Sequence, residues 1–198
     1  MTSAAPTVLR FTAEAYARFR LYVELCPSEI GGLAEVRSDG DGLLVTDLFL
    51  LNQRVSPSET ELEAEAVLRL LHRCVEEGRD PAALRLWWHS HGEHEVEWSD
   101  TDEATIDGFG ADSLVSLVTN KAGDVLCRCD TWVPRRSTVD GIPVLQPDEP
   151  LSPARAAALR ETAWGEMLEK VSVLSRVECV LPDGQFDELE FLTRLDER

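Results

Sequence analysis

The stretch LRLWWHSHGEHEVEWSDTDEATI, residues 84–106, combines a strand pattern with the start of a helix and holds three of the chain's four histidines. Its first part, through His91, is predicted to be a strand bounded by polar residues. The segment from Ser99 predicts a short helix that ends at Gly108 or Gly110. A strand followed closely by a helix start can bring their side chains together, so we expect the site of this protein here.

Two histidines and one aspartate in this stretch form a metal-binding pattern. Residues two apart on a strand face the same side, so His89 and His91 project together. Ser99 and Asp102 have the spacing of a capping box, which gives Asp102 a rigid position at the helix start. Imidazole and carboxylate ligands together suit Zn²⁺. His89, His91 and Asp102 would supply three ligands and leave a fourth position for water, the layout of a catalytic zinc.

A catalytic zinc also needs a general base. Zinc lowers the pKa of its water from about 15.7 to near 7, and a side chain must still take the proton. Glu29, in CPSEIGGL at residues 26–33, lies at the start of a predicted strand. The glycines that follow it allow other backbone to come close. Glu29 is therefore the candidate base.

These residues resemble the JAMM (MPN+) metalloproteases, whose signature is a glutamate upstream of HxHx₇SxxD. All five signature positions match, at Glu29, His89, His91, Ser99 and Asp102. The resemblance covers about residues 8–134 and includes the PSEIGGL stretch that is typical of bacterial members.

The resemblance implies a role for each matched residue. The two histidines and the aspartate would bind zinc, Glu29 would act as acid and base, and Ser99 would support the oxyanion. Two positions depart from the family pattern: Gly92 stands where the family usually has proline, and Gly31 stands where many bacterial relatives have cysteine. Since neither is a ligand position, we expect a changed loop and not a lost site.

The same resemblance implies the fold and the activity. It predicts an α/β fold with a mixed sheet flanked by helices, as in MPN/JAMM and cytidine-deaminase-like proteins. The reaction would be hydrolysis after the C-terminus of a ubiquitin-like or sulfur-carrier-like protein, in deconjugation or precursor processing. Implied partners are that protein, its conjugates, and E1/E2-like proteins of the same operon.

The chain divides into a metallopeptidase domain over residues 1–135 and a linker with a C-terminal extension over residues 136–198. The first part predicts a helix capped by Thr12 and stopped by Pro27, two strands within residues 30–53, a long amphipathic helix from about residue 56, and a hairpin across residues 120–124. The extension predicts a helix over residues 154–169, a strand over residues 172–182 and an acidic tail.

Composition excludes several function classes. The net charge of −18, with no Lys/Arg cluster longer than two residues, argues against nucleic acid as a partner. No apolar run approaches the roughly 20 residues of a membrane helix, and the N-terminus lacks a secretion signal pattern. Five scattered cysteines fit a reducing compartment, so we expect a cytoplasmic protein. The preference for arginine over lysine suggests a GC-rich bacterial genome.

Three other interpretations compete with a zinc peptidase. HxHxEH at residues 89–94 is similar to the HxHxDH motif of metallo-β-lactamase-like hydrolases, which need further histidines, but none follows His94. Zinc deaminases need HxE and PCxxC, whereas this chain shows HSH at residues 89–91 and has no PCxxC. The third alternative is a catalytically silent MPN-type scaffold that binds a ubiquitin-like partner, although scaffold members usually lack one or more of the five signature residues.

The remaining histidines and the close cysteine pair are predicted to be structural. His72 lies beside the apolar stripe of its helix, and His94 belongs to an acidic, solvated loop. Cys127 and Cys129 would share one strand face as small core residues, since CxC lacks the usual spacing of a CxxC metal or redox motif.

Overall fold

The computed structural model describes residues 6–180 and 186–194 and shows a mixed α/β architecture. The helices are α1 (Ala13–Leu25), α2 (Ala64–Glu76), α3 (Asp100–Gly108) and α4 (Pro153–Lys170). The strands are β1 (Leu9–Phe11), β2 (Gly31–Asp39), β3 (Gly42–Leu50), β4 (Gln53–Ser56), β5 (Glu59–Leu62), β6 (Leu86–Ser90), β7 (Ser113–Thr119), β8 (Val125–Thr131), β9 (Ser137–Val139), β10 (Val144–Leu145), β11 (Val171–Val180) and β12 (Phe186–Arg194).

The main sheet has eight strands in the order β10-β1-β3-β2-β6-β7-β8-β9. Its two edge strands, β9 and β10, are only four residues apart in the chain. A flat eight-stranded sheet would separate its edges by about 34 Å, whereas five residue steps span at most about 18 Å. The sheet must therefore curl so that its edges approach each other, and the Ile142 N–H, between β9 and β10, donates to the Cys127 carbonyl on β8.

Helices cover both faces of this sheet. One apolar cluster joins α1 and α4 to the face that carries Trp88, and a second joins α2 and α3 to the face that carries Trp87. All five residues of β6 are buried, as expected for a strand covered on both sides. Because Trp87, His89 and His91 alternate with Trp88 and Ser90, the two histidines face α3.

Several local predictions are confirmed. The Thr12 side chain accepts a hydrogen bond from the Ala15 N–H, and α1 ends at Leu25, two residues before Pro27. β7 and β8 form the expected hairpin, and residues 66, 70 and 74 are the buried stripe of α2.

The long amphipathic helix was expected to begin near residue 56, which is wrong. α2 begins at Ala64, and the preceding residues form the β4–β5 hairpin. The buried side chain of Gln53 stabilises this hairpin because it bonds to the Gly31 N–H and carbonyl and accepts from the Thr60 hydroxyl. Glu59 and Glu61 were expected in the acidic first turn of this helix. Both are instead exposed on β5.

The segment that follows β8 was expected to be a linker, and its description needs correction. β9 pairs with β8 and β10 pairs with β1, so the segment extends the sheet at both edges. Strands of two or three residues are too short to show a periodic pattern in the sequence.

The C-terminal elements pack on the rest of the chain. Ala163 and Met167 of α4, with Val171 and Val173 of β11, belong to the same apolar cluster as α1. β11 runs parallel to β4 and antiparallel to β12, in a four-stranded sheet of order β12-β11-β4-β5. Part of the segment expected to be an acidic tail is therefore strand β12, and residues 181–185 and 195–198 of the predicted strand and tail lie outside the described part. Within that part, no helix is both long and apolar enough to cross a membrane.

Candidate metal centre

The end of β6 and the start of α3 bring His89, His91 and Asp102 together. One donor atom from each lies within 4.8 Å of the other two, and all three residues are buried. His89 Nε2 is 3.0 Å from Asp102 Oδ1 and 3.2 Å from His91 Nε2, which is 3.5 Å from Asp102 Oδ2. Among the described residues, this is the one group of three or more His, Cys, Asp or Glu side chains close enough to hold a metal ion.

These separations fit a shared cation. Two atoms bonded to one tetrahedral zinc at about 2.0–2.1 Å lie about 3.3–3.4 Å apart. His89 Nε2 lies 3.0 Å from Asp102 Oδ1 and 3.2 Å from His91 Nε2, and both separations are close to that value. Two imidazole lone pairs that face each other at such a distance also repel, unless a proton or a cation lies between them.

Hydrogen bonds to residues outside the group of three orient the side chains of His91 and Asp102. His91 Nδ1 is 3.0 Å from the Glu95 carbonyl, which can only accept, so this nitrogen carries the proton and Nε2 is free to bind a metal. Asp102 Oδ2 accepts from both the N–H and the hydroxyl of Ser99, each at 2.8 Å. Oδ1, which faces His89, is therefore the oxygen left for a metal.

His89 is held mainly by packing. Its ring stacks on the Trp87 ring with centroids 4.3 Å apart and an interplanar angle of 19°. Its Nδ1 atom is buried and has no hydrogen-bond partner among the described residues. In many metal sites a hydrogen bond to a carboxylate or carbonyl fixes the orientation of the histidine ring. Here the stacking on Trp87 fixes it.

The protonation states also favour a metal. Burial alone would raise the Asp102 pKa, but hydrogen bonds from His89 and His91 more than compensate and hold it far below its usual range. Burial lowers the pKa of His89, whereas the hydrogen bond with Asp102 raises the pKa of His91. Asp102 is therefore ionised and His89 neutral at pH 7, which are the forms that bind metal ions, whereas a metal ion would have to displace the proton that Asp102 favours on His91.

Glu29 lies in the same cavity as the three ligand candidates. It is only 8% exposed, and its carboxylate makes no side-chain hydrogen bond to a described residue. Both oxygens are therefore able to accept a proton. Burial raises its pKa to about 7, with smaller opposing effects of His91 and Asp102. A carboxyl group with such a pKa can both accept and return a proton near neutral pH.

The cavity has a volume of about 320 Å³ and an acidic rim. Glu59, Glu95 and Glu97 line it and are exposed, and no lysine or arginine is among its lining residues. Ser58, just before β5, and Glu95 and Glu97, just before α3, bring two separate loops of the chain to the cavity. His94 is exposed at this rim, whereas His72 is exposed on α2 outside the cavity.

The backbone explains why glycine stands at positions 92 and 31. Gly92 has a φ of 55°, which proline cannot adopt, so the chain after His91 turns in a way that proline would prevent. Gly31 pairs with His89, and a Cβ at Gly31 would lie 3.3 Å from His89 Cβ and 3.0 Å from the Trp88 carbonyl oxygen. This close approach is what the glycines after Glu29 were expected to allow.

One part of the site was not anticipated from the sequence. Arg128 on β8 contacts Trp98 and Glu103, which lie on either side of the Ser99–Asp102 turn. The available signal was the alternation in LCRCD, residues 126–130. Cys127 and Cys129 point to the core, so Arg128 and Asp130 share the other face of the strand. The expected core role of both cysteines is confirmed, since both are buried and free.

Comparisons with known proteins give a fold likeness. No protein-family model matches the sequence, and no curated protein matches it. The solution structure of protein DSY2949 from Desulfitobacterium hafniense is similar, with a TM-score of 0.54 and 18% sequence identity over 72% of this chain and 95% of that chain. At this identity the likeness concerns the fold alone.

Proposed function

We propose that this chain is a zinc-dependent peptidase of the JAMM (MPN+) type. It would hydrolyse the isopeptide or peptide bond after the C-terminus of a ubiquitin-like or sulfur-carrier-like protein. The supporting observation is that His89, His91 and Asp102 converge in one cavity with Glu29, which comes from a distant part of the chain. Three ligands and a separate buried carboxylate are the parts that a hydrolytic zinc site needs.

Hydrolysis at this site would need a Lewis acid and a general base. When bound, zinc supplies a Lewis acid that polarises a carbonyl and makes water more acidic. Glu29 accepts a proton from the attacking water on a carboxylate oxygen and returns it to the departing amine nitrogen. A nearby cation would lower the pKa of Glu29 from about 7, so the residue starts the reaction as a base.

Ser99 has one hydroxyl proton to give. It is donated to Asp102 Oδ2 in this structure, while the Ser99 oxygen accepts from the Asp102 N–H at 3.1 Å. Support of an oxyanion, the role the resemblance implies, would require the hydroxyl to rotate away from Asp102. Orientation of the Asp102 carboxylate is the role that its contacts favour.

The surroundings suit an extended, cationic substrate tail. β5 forms an edge of the four-stranded sheet, and its residues Glu59 and Thr60 line the cavity. A tail that adds to this edge would bond through its backbone, and side chains of basic residues would meet the acidic rim. Residues next to the scissile bond would have to be small, because Trp87, His89 and residues of α3 line a cavity of only about 320 Å³.

Cleavage of defined fusions tests the proposal. Ubiquitin-like and sulfur-carrier-like proteins that end in Gly-Gly would be fused to a reporter and incubated with zinc-loaded protein, beside fusions in which the glycines are replaced by leucines. We expect cleavage after Gly-Gly, loss with the bulky tail, and reversible loss on chelation. Binding of such partners without cleavage would instead favour the catalytically silent scaffold.

A further inference from the structure

Arg128 is a buried cation near the metal centre. It is 6% exposed and lies in the middle of β8. Its Nη1 and Nη2 atoms donate to the two carboxylate oxygens of Glu103 at 2.5 and 2.7 Å, and its Nε donates to Asp130 Oδ2 at 2.9 Å. Such a fork holds a carboxylate in one orientation, which a single ammonium group cannot do.

The contacts of Arg128 enclose the turn that presents Asp102. Ser99 is the N-cap of α3, so Trp98 immediately precedes the cap and Glu103 is the fourth residue after it. Arg128 lies over the Trp98 ring, 4.7 Å from its centroid, while it binds Glu103. In many helices the residues at these two positions pack on each other and fix how the chain enters the helix. Here the guanidinium bridges them.

The other side of this bridge is anchored in the sheet. Asp130, which binds Arg128 Nε, also accepts from the Thr138 hydroxyl of β9 through its second oxygen, at 2.5 Å. Trp98 in turn approaches the His89 ring, with centroids 6.2 Å apart. The bonds of Arg128 and Asp130 therefore tie the start of α3 to strands β8 and β9 without involving the metal ligands themselves.

We infer that Arg128 is a positioning residue that holds the Asp102 carboxylate at the distance required by a bound metal ion. This inference rests on the proposed metal function. Asp102 approaches His89 from a different element, so its place depends on how α3 lies against the sheet. Metal ligands must be held within about 0.5 Å of the productive geometry, and loss of outer contacts typically costs about 10- to 100-fold in metal affinity.

Metal affinity and folding, measured separately, test the inference. Arg128→Gln, Arg128→Lys and Glu103→Gln would be compared with Arg136→Gln, which removes the ion pair to Asp107 near the other end of the same helix. Zinc dissociation constants would come from competition with a chromophoric chelator. Cobalt(II) absorption would report ligand geometry, and thermal unfolding of the metal-free proteins would report stability.

We expect Arg128→Gln to raise the zinc dissociation constant about 10- to 100-fold and to change the cobalt spectrum. Glu103→Gln and Arg128→Lys should have the same effects to a smaller degree, and Arg136→Gln should have none. If Arg128→Gln does not fold, the two milder variants decide the question. Wild-type affinity and spectrum in both would overturn the inference, even with a lower melting temperature, since that would show a purely structural role. Failure of the wild-type protein to bind zinc would overturn the proposed metal function itself.

Discussion

Gly31 on β2 pairs with His89 on β6 in the antiparallel register of the main sheet. The neighbouring contact, from the Ile30 N–H to the Ser90 hydroxyl, joins residues sixty positions apart in the chain. Glu29 precedes this paired segment, so the register delivers its carboxylate to the end of β6 where His91 leaves the sheet. The first glycine of PSEIGGL is thus part of the geometry that places a candidate base beside candidate metal ligands.

Replacement of Glu29 by glutamine should remove the base and keep the shape of the site. We expect Glu29→Gln to lower kcat by about 10²- to 10⁴-fold, with unchanged zinc content. The measurement is the cleavage rate of a Gly-Gly fusion together with metal analysis of the same preparation. Glu76→Gln on α2 is the control, because Glu76 is exposed and does not line the cavity, and its kcat should stay within about threefold of wild type. Undiminished cleavage by the Glu29 variant would remove Glu29 from the mechanism.

The stability of the metal-free protein should depend on pH through Glu29. Its pKa in the folded protein is about 7, above the ordinary 4.5, so the folded state binds this proton more tightly than the unfolded chain does. The resulting stabilisation is complete below pH 4.5 and is lost as the pH rises through 7, by at most about 3 kcal/mol.

Glu29→Gln lacks this dependence. The free energy of unfolding of the wild type should therefore fall more steeply than that of the variant between about pH 5 and pH 8. Urea denaturation of both metal-free proteins across this range makes the comparison, and the difference cancels much of the contribution from the raised pKa of His91. If the free energy of unfolding depends on pH in the same way in both proteins, the Glu29 carboxyl does not have a raised pKa in the folded state.

Ser99 should matter to the site beyond its role as a helix cap. Ser99→Ala and Ser152→Ala each remove an N-cap hydroxyl, on α3 and α4 respectively, so both should lower the free energy of unfolding by about 1 kcal/mol. Only Ser99→Ala should also weaken zinc binding, by about tenfold or more, since Asp102 loses a donor that orients it. Equal zinc affinity in the two variants would limit Ser99 to capping.

The acidic rim should favour basic substrate tails. Reversal of charge in Glu95→Lys/Glu97→Lys should raise KM for a fusion with arginines near its C-terminus on the order of tenfold, with less effect at high salt. Glu161→Lys/Glu169→Lys on α4 is the control, since it changes the net charge equally at exposed positions outside the cavity. A tail without basic residues should be insensitive to both double variants, and equal losses for both tails would refute the charge preference.

The local parts of the site could be predicted from the sequence because local rules govern them. The strand period places His89 beside His91, and the capping box fixes Asp102 relative to Ser99; the structure shows both. The place of Glu29 depends on strand register across the sheet, which no local pattern contains. The sequence offered Glu29 as a candidate base from its position at a strand start, and the resemblance to a known family then paired it with the histidines.

The elements that were missed depend on contacts distant in sequence. The β4–β5 hairpin is held by the buried amide of Gln53 and by pairing of β4 with β11, neither of which is visible in the acidic sequence SETELEAE, residues 58–65. β10 forms by pairing with β1 near the start of the chain, while β9, which pairs with the neighbouring β8, is too short to show a strand pattern. Arg128 shares its strand face with Asp130, but its contacts with Glu103 and Trp98 depend on how α3 packs on the sheet.

Zinc binding by the intact protein tests the central claim most directly. Isothermal titration of zinc into metal-free wild type, His91→Ala and Asp102→Asn needs no knowledge of the substrate, and circular dichroism would establish that all three are folded. The account predicts one zinc per wild-type chain and loss of tight binding in both variants, because each removes one of three converging ligands. A folded wild-type protein that binds no zinc, or a variant that binds it as tightly as wild type, would contradict the assignment of His89, His91 and Asp102 as the metal centre.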